Sequence, residues 1–149
     1  MVDATTPRIS YVVKRLESAL RAQLDLICRD KGITTMQYVA LSVLHVHPGM
    51  SSAQLAARSF VSPQSANQMV TTLERTGYLV RAPYEQNRRI LQISLTEKGL
   101  ELLAACDGAV DDLESTMLEG VDDGAQKVLR QAVNTCIRNL SPNRLAGRT

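Results

Sequence analysis

Tryptophan is absent from the 149 residues, and the other large aromatics are one phenylalanine and four tyrosines. That scarcity disfavours β-sandwiches and stacked sugar sites, and it suits helices packed with Leu, Val, Ala and Met. Cys28, Cys106 and Cys136 stand far apart with no CxxC pair, which argues against a disulfide framework and fits a reducing compartment. The two histidines, His45 and His47, are two positions apart. A helix points them away from each other, and no compact Cys/His/acid group accompanies them, so no metal site is expected. No apolar run approaches membrane-spanning length, and the opening MVDATTPRIS has no apolar signal core. A soluble, cytoplasmic chain without a membrane partner is the expectation. No nucleophile–base signature or phosphate-cradling glycine loop occurs, so neither an enzyme nor a cofactor is expected.

What is present is enough apolar content, 44%, for one real core. The net charge of +2 says little, but its distribution says more. Residues 51–90 hold Arg58, Arg75, Arg81, Arg88 and Arg89 against Glu74 and Glu85, whereas acids outnumber bases from Glu97 onward. A basic middle beside an acidic end points to a polyanion bound by the middle alone.

Hydrophobic periodicity orders the elements as α-α-α-α-β-β-α-α. Ile9, Val12, Val13, Leu16, Leu20, Leu24 and Ile27 recur at helical spacing to about Asp30, with Gly32 as the stop. TTMQYVALSVLHVH is a second helix with Met36, Val39, Ala40, Val43 and Leu44 inward, broken by Pro48-Gly49. Ser51 caps a short third helix. Ser62 caps the fourth, with Pro63 at its first position, where the missing N–H costs nothing. Gly77 supplies the left-handed residue after it. YLVRA and RILQISL read as strands around the loop PYEQNR. In the second strand Leu91, Ile93 and Leu95 mark the more buried face. Thr96 caps a long helix, with Gly99 as an early weak spot, and a last helix precedes the tail SPNRLAGRT.

The fourth helix carries the functional signal. At steps of about 100°, Ala66, Met69, Val70 and Leu73 share one stripe, and Gln64, Asn67, Gln68, Thr71 and Arg75 lie opposite. Glutamine and asparagine can bond adenine edges bidentately, threonine can meet a thymine methyl, and arginine reads guanine or phosphate. Ser51, Ser52 and Ser62 at helix starts, with Ser65 in the first turn of the fourth helix, offer hydroxyls and N–H groups to phosphates. Arg88 or Arg89 on the hairpin is placed to enter a narrowed minor groove. A capped short helix, a turn, this polar-faced helix and an arginine-tipped hairpin make a mainly α fold with a small β-hairpin wing, the winged helix-turn-helix.

SSAQLAARSFVSPQSANQMVTTLERTGYLVR, NRRILQISLTEKG and the preceding TTMQYVALSVL resemble the multiple-antibiotic-resistance regulator (MarR) family of bacterial winged-helix transcription factors. Motif detail covers about residues 34 to 103. The resemblance implies an intertwined homodimer, each middle lobe holding half of a pseudo-palindromic operator, and repression relieved by a small effector. It divides the single 1–149 domain into a DNA-binding lobe at 33–96 and a dimerisation region at 8–32 and 97–141. Family wings carry Asp-x-Arg, and the positions here are Asn87-Arg88-Arg89. Arg89 takes the family arginine's place, while Asn87 lacks the charge that would orient it, so both arginines stay candidates. The resemblance also implies a phenolic or carboxylate effector between the first, second and fifth helices, with Tyr11, Arg15, Tyr38 and His45 as candidate contacts. For those residues the bland readings are a paired surface cation at Arg15, core packing at Tyr38 and helix surface at His45.

Dimerisation also follows from the residues. The apolar stripes of residues 9–27, 100–121 and 128–140 exceed what a small middle lobe can cover. Two alternatives stand beside the repressor: a winged-helix protein-docking module, and a redox-responsive regulator of the same fold.

Overall fold

The computed structural model describes residues 5–59 and 61–140; the tail from Ser141 lies outside them. Contacts divide the chain into two compact units, one ending at Asp111 and the next beginning at Asp112. The elements follow the expected order: α1 (Ile9–Asp30), α2 (Thr35–Val46), α3 (Ser52–Ser59), α4 (Pro63–Arg75), β1 (Leu79–Tyr84), β2 (Asn87–Leu95), α5 (Glu97–Met117) and α6 (Asp123–Asn139). Among the described residues no helix is long and apolar enough to cross a membrane.

Local chemistry sets the helix starts in the first unit. Thr34 Oγ1 accepts from the Gln37 N–H while Gln37 Oε1 accepts from the Thr34 N–H, a reciprocal box that satisfies two otherwise orphaned donors. Ser51 and Gln54 repeat it at the start of α3. Ser62 Oγ accepts from the Ser65 N–H, with Pro63 in the first turn of α4. Gly77, at φ +85°, ends α4, and the Tyr78 N–H reaches back to the Leu73 carbonyl. That closure needs a left-handed residue, which glycine adopts without Cβ strain.

The core joins Cys28, Leu41, Leu44, Leu55, Val70, Leu73, Leu79, Ile93, Leu103 and Cys106. It draws one stripe from every element between α1 and α5, so the polar face of α4 is fixed by burial of its opposite side. Leu41, absent from the sequence reading, is fully buried. Met36, expected inward, is 40% exposed, because the first turn of α2 extends past the core.

The hairpin is longer and tighter than expected. Pro83, Tyr84, Asn87 and Arg88, assigned to the loop, belong to the strands. Pairing runs from Leu79↔Leu95 to Pro83↔Leu91 and resumes at Tyr84↔Asn87. Arg88, Arg89 and Ile90 therefore fall between two rungs, a bulge that turns them out of the ladder. The expected buried face holds only at the base: Ile93 is buried, but Leu91 is 42% exposed, since the wing projects beyond the core. Gly49 and Met50 exchange backbone hydrogen bonds with Ile93, which pins the wing base to the turn between α2 and α3.

Gly99 is a close-packing position and not a weak spot, because a Cβ there would lie 2.2 Å from the Tyr78 carbonyl oxygen. Around it, Thr96 Oγ1 donates to the Gly77 carbonyl and accepts from the Gly99 N–H. Lys98 Nζ donates to the Thr76 carbonyl. The segment TEKG thus clasps the end of α4 to the start of α5.

The second unit holds the end of α5 and all of α6. Asp122 Oδ1 accepts from the Ala125 N–H to cap α6, and no α6 residue is buried. Val128, Leu129, Val133, Ile137 and Leu140 all face solvent. So, within the first unit, do Ile9, Tyr11, Val12, Val13 and Leu16 of α1.

Candidate nucleic-acid interface

Helix α4 presents the face that its periodicity predicted. Ala66, Val70 and Leu73 are buried and Met69 is half-buried, while Gln64, Ser65, Asn67, Gln68, Thr71 and Arg75 are exposed. The apolar stripe anchors the helix, so the opposite side chains stand away from the body on a rigid rod, as groove reading requires.

The serines at the helix starts are arranged differently from one another. Ser51 Oγ accepts from the Gln54 N–H. Ser62 Oγ accepts from the Ser65 N–H and donates to Ser65 Oγ. Ser52 Oγ is buried and has no hydrogen-bond partner among the described residues, so the group that residue has left for a phosphate is its backbone N–H in the first turn of α3.

On the wing, Asn87, Arg88 and Arg89 are all exposed. Asn87 Oδ1 accepts from the Arg89 N–H across 3.2 Å, an Asx turn that shapes the backbone and leaves the guanidinium unsteered. Among the described residues, neither the Arg88 nor the Arg89 side chain makes a hydrogen bond or ion pair, so both charges extend freely from the bulge. Arg75 also lies exposed in the last turn of α4.

One residue of this surface escaped the sequence reading. Arg81, on β1, reaches under the reading face: its guanidinium donates to Asn67 Oδ1 at 3.1 Å and to Thr71 Oγ1 at 2.7 Å. Glu74 Oε2 accepts from the Arg81 backbone N–H. The signal was available, because Arg81 shares the inward register of Leu79 two positions earlier. A charged side chain on an inward strand position must find partners.

Tyr11, Arg15, Tyr38 and His45 line neither the cleft beside α4 nor the one at the turn between α2 and α3. Tyr11, Arg15 and His45 are exposed. Arg15 has no ion-pair partner among the described residues; the nearby Glu17 pairs instead with Lys14 and Arg21. Tyr38 is half-buried and donates to Asp107 Oδ1 at 2.7 Å, and burial together with that carboxylate pushes its phenol well above the usual range. A cleft of about 400 Å³ lies instead beside α4, lined by Met36, Val61, Gln68 and Met69 among others. A second, of about 500 Å³, opens at His47, Gln54 and Arg58. Cys28 and Cys106 are buried, and burial pushes both thiols up, which suppresses the reactive thiolate. No group of three or more His, Cys, Asp or Glu able to hold a metal ion occurs among the described residues.

Comparison with known proteins agrees with this architecture. Residues 31–90 match the MarR family model. The HTH-type transcriptional repressor Rv2887 of Mycobacterium tuberculosis is 29% identical over 110 residues, covering 74% of this chain and 79% of the repressor. The structure of Rv2887 with salicylic acid superposes with a TM-score of 0.71 at 25% identity, over 90% of this chain and 99% of that one. The same protein has been solved with DNA, with a TM-score of 0.74 at 24% identity, over 88% and 98% of the two chains. The PcaV regulator of Streptomyces coelicolor, solved with its natural ligand, shares the fold at a TM-score of 0.78 and 20% identity, over 95% and 99%. The chain is thus similar to the MarR family of winged helix-turn-helix transcriptional regulators, whose model its DNA-binding lobe matches over residues 31–90.

Proposed function

We propose that this chain represses transcription as a homodimer, binding a pseudo-palindromic operator and leaving it when a small phenolic or carboxylate effector binds. The observation that carries this reading is the face of α4. Gln64, Asn67, Gln68, Thr71 and Arg75 stand exposed on a helix whose other side is buried, beside a wing whose arginines have no side-chain partner among the described residues. Residues 33–96 form the DNA-binding lobe in this reading. Gln64, Asn67, Gln68 and Thr71 meet base edges. Ser51, Ser52, Ser62, Ser65 and Arg75 meet the backbone, Ser52 through its N–H. Arg88 and Arg89 reach the minor groove.

Residues 8–32 and 97–141 form the dimerisation region. The exposed stripes of α1 and α6 each present large apolar side chains that water covers poorly, and a second copy supplies a matching surface by symmetry. Half-sites then lie about one helical turn apart. The effector class is supported by the salicylic acid complex of the similar Rv2887 repressor. Tyr11, Arg15, Tyr38 and His45 are the residues assigned to it; Tyr38 would exchange Asp107 for the ligand. The chain acts in the cytoplasm, as a regulator and without catalysis.

The test is selection of a site from a random oligonucleotide pool, followed by fluorescence anisotropy at physiological salt. The expected result is tight binding to one pseudo-palindrome, weakened by rising salt and by added salicylate. Equal affinity for selected and scrambled duplexes would overturn the reading.

A further inference from the structure

The adenine-type bidentate contact available in principle to Asn67 meets a constraint that the sequence did not show. Arg81 has a side chain only 17% exposed and lies opposite Ile93 in the ladder, beneath α4. Its two terminal nitrogens hold Asn67 Oδ1 and Thr71 Oγ1, one turn apart on the same helix. Its Nε lies 3.7 Å from Glu74 Oε2, on the next turn. One guanidinium thus ties Asn67, Thr71 and Glu74 together along α4.

A guanidinium only donates hydrogen bonds. The Asn67 atom that faces it must therefore be the oxygen, which settles an amide orientation that shape alone leaves ambiguous. The Nδ2 group, with its two N–H donors, is then turned away from Arg81. Thr71 Oγ1 accepts from Arg81, so its own hydrogen is free to be donated elsewhere. Both side chains are exposed, and both offer donors.

We propose that Arg81 is a specificity-setting positioning residue: by holding Asn67 Oδ1 it fixes Asn67 as a hydrogen-bond donor toward the groove. The base beneath Asn67 is then selected for an acceptor, N7 or O6 of guanine, N7 of adenine or O4 of thymine, and cytosine N4 is rejected. This rests on the DNA-reading function proposed above. A guanidinium suits the role because its rigid fork holds two acceptors at once, which a lysine ammonium on a flexible stem does not.

The experiment takes the operator selected by the parent protein and substitutes each base pair in turn. Affinities are measured for the parent, Asn67→Ala, Asn67→Asp and Arg81→Lys. Asn67→Ala identifies the base pair that Asn67 reads. At that pair Arg81→Lys, which keeps the charge, is expected to lower discrimination roughly tenfold, with any other change confined to the pair that Thr71 meets, and to leave the salt dependence unchanged. In the Asn67→Ala background it is expected to change nothing further at the Asn67 pair. Asn67→Asp retains an acceptor for Arg81 but has no donor, so preference at the same pair is expected to move to cytosine. The proposal is overturned if Arg81→Lys keeps the parent's discrimination there or loses affinity equally for every sequence. Should Arg81→Lys fail to fold, Asn67→Asp decides alone, and retention of the parent's preference overturns the proposal. A parent that selects no site at all overturns the function itself, which is a separate outcome.

Discussion

Gly99 lies so close to Tyr78 that a Cβ at position 99 would stand 2.2 Å from the Tyr78 carbonyl oxygen. Both sides of the contact are backbone, one the first turn of α5 and the other the residue leading into the wing, so neither can swing aside. Gly99→Ala is expected to destabilise the chain by about 1–3 kcal/mol, as overpacking does, although alanine is the better helix former. Urea unfolding measures it. A stabilised Gly99→Ala would show that α5 and Tyr78 are farther apart.

Tyr38 and Asp107 link α2 to α5 through one half-buried hydrogen bond of 2.7 Å. Removing the donor leaves a carboxylate with lost solvation, so Tyr38→Phe is expected to cost about 1–3 kcal/mol. The loss should shrink when Asp107→Asn is combined with it, because the half-buried charge is then gone. A double-mutant cycle of unfolding free energies reads the coupling.

The wing makes a prediction about salt. The Arg88 and Arg89 side chains have no protein partners among the described residues, so replacing both by alanine should leave stability unchanged. DNA affinity should fall across all sequences. The slope of log affinity against log salt should become shallower by about two, one for each lost phosphate neutralisation. Asn67→Ala should do the reverse, keeping the slope and relaxing selection at one base pair.

Alkaline titration gives a stability test. Burial raises the Cys28 and Cys106 thiols above their usual 9.0 and the Tyr38 phenol above its usual 10.0. The native state therefore keeps protons that the unfolded chain releases. These groups stabilise fully below pH about 9, and their contribution is lost as pH rises through the raised values. Denaturation midpoints should hold steady from pH 7 to about 9 and then fall. In the native chain a thiol reagent should spare Cys28 and Cys106, and denaturant should expose both.

The exposed stripe of α6 yields an association test. Val133→Glu with Ile137→Glu places two charges among apolar side chains that are already exposed in the single chain, so the first unit should stay folded. Sedimentation should shift from dimer to monomer at micromolar concentration. Operator affinity should fall steeply, because two half-sites are no longer held by one particle.

Much of this was legible in the chain itself, and for local reasons. Ser62, Pro63 and Gly77 bound α4 because capping and left-handed φ are properties of a few neighbouring residues. The division of α4 into Ala66, Val70 and Leu73 against Gln64, Asn67 and Thr71 follows from helical period alone. Met36 and Leu91 were misplaced for a common reason. Periodicity tells which side of an element is apolar, but it does not tell where along the element the core ends.

Sequence by itself determined the element order, the caps, and which face of α4 is polar, since each is encoded within a few residues of chain. Only tertiary structure decided that Gly99 is a point of close approach and that the wing arginines sit on a bulge. It alone decided that Arg81 turns the Asn67 amide from below. The Arg81 and Gly99 contacts join residues 14 or more positions apart, and all three facts depend on how strands and helices pack, which no local pattern specifies.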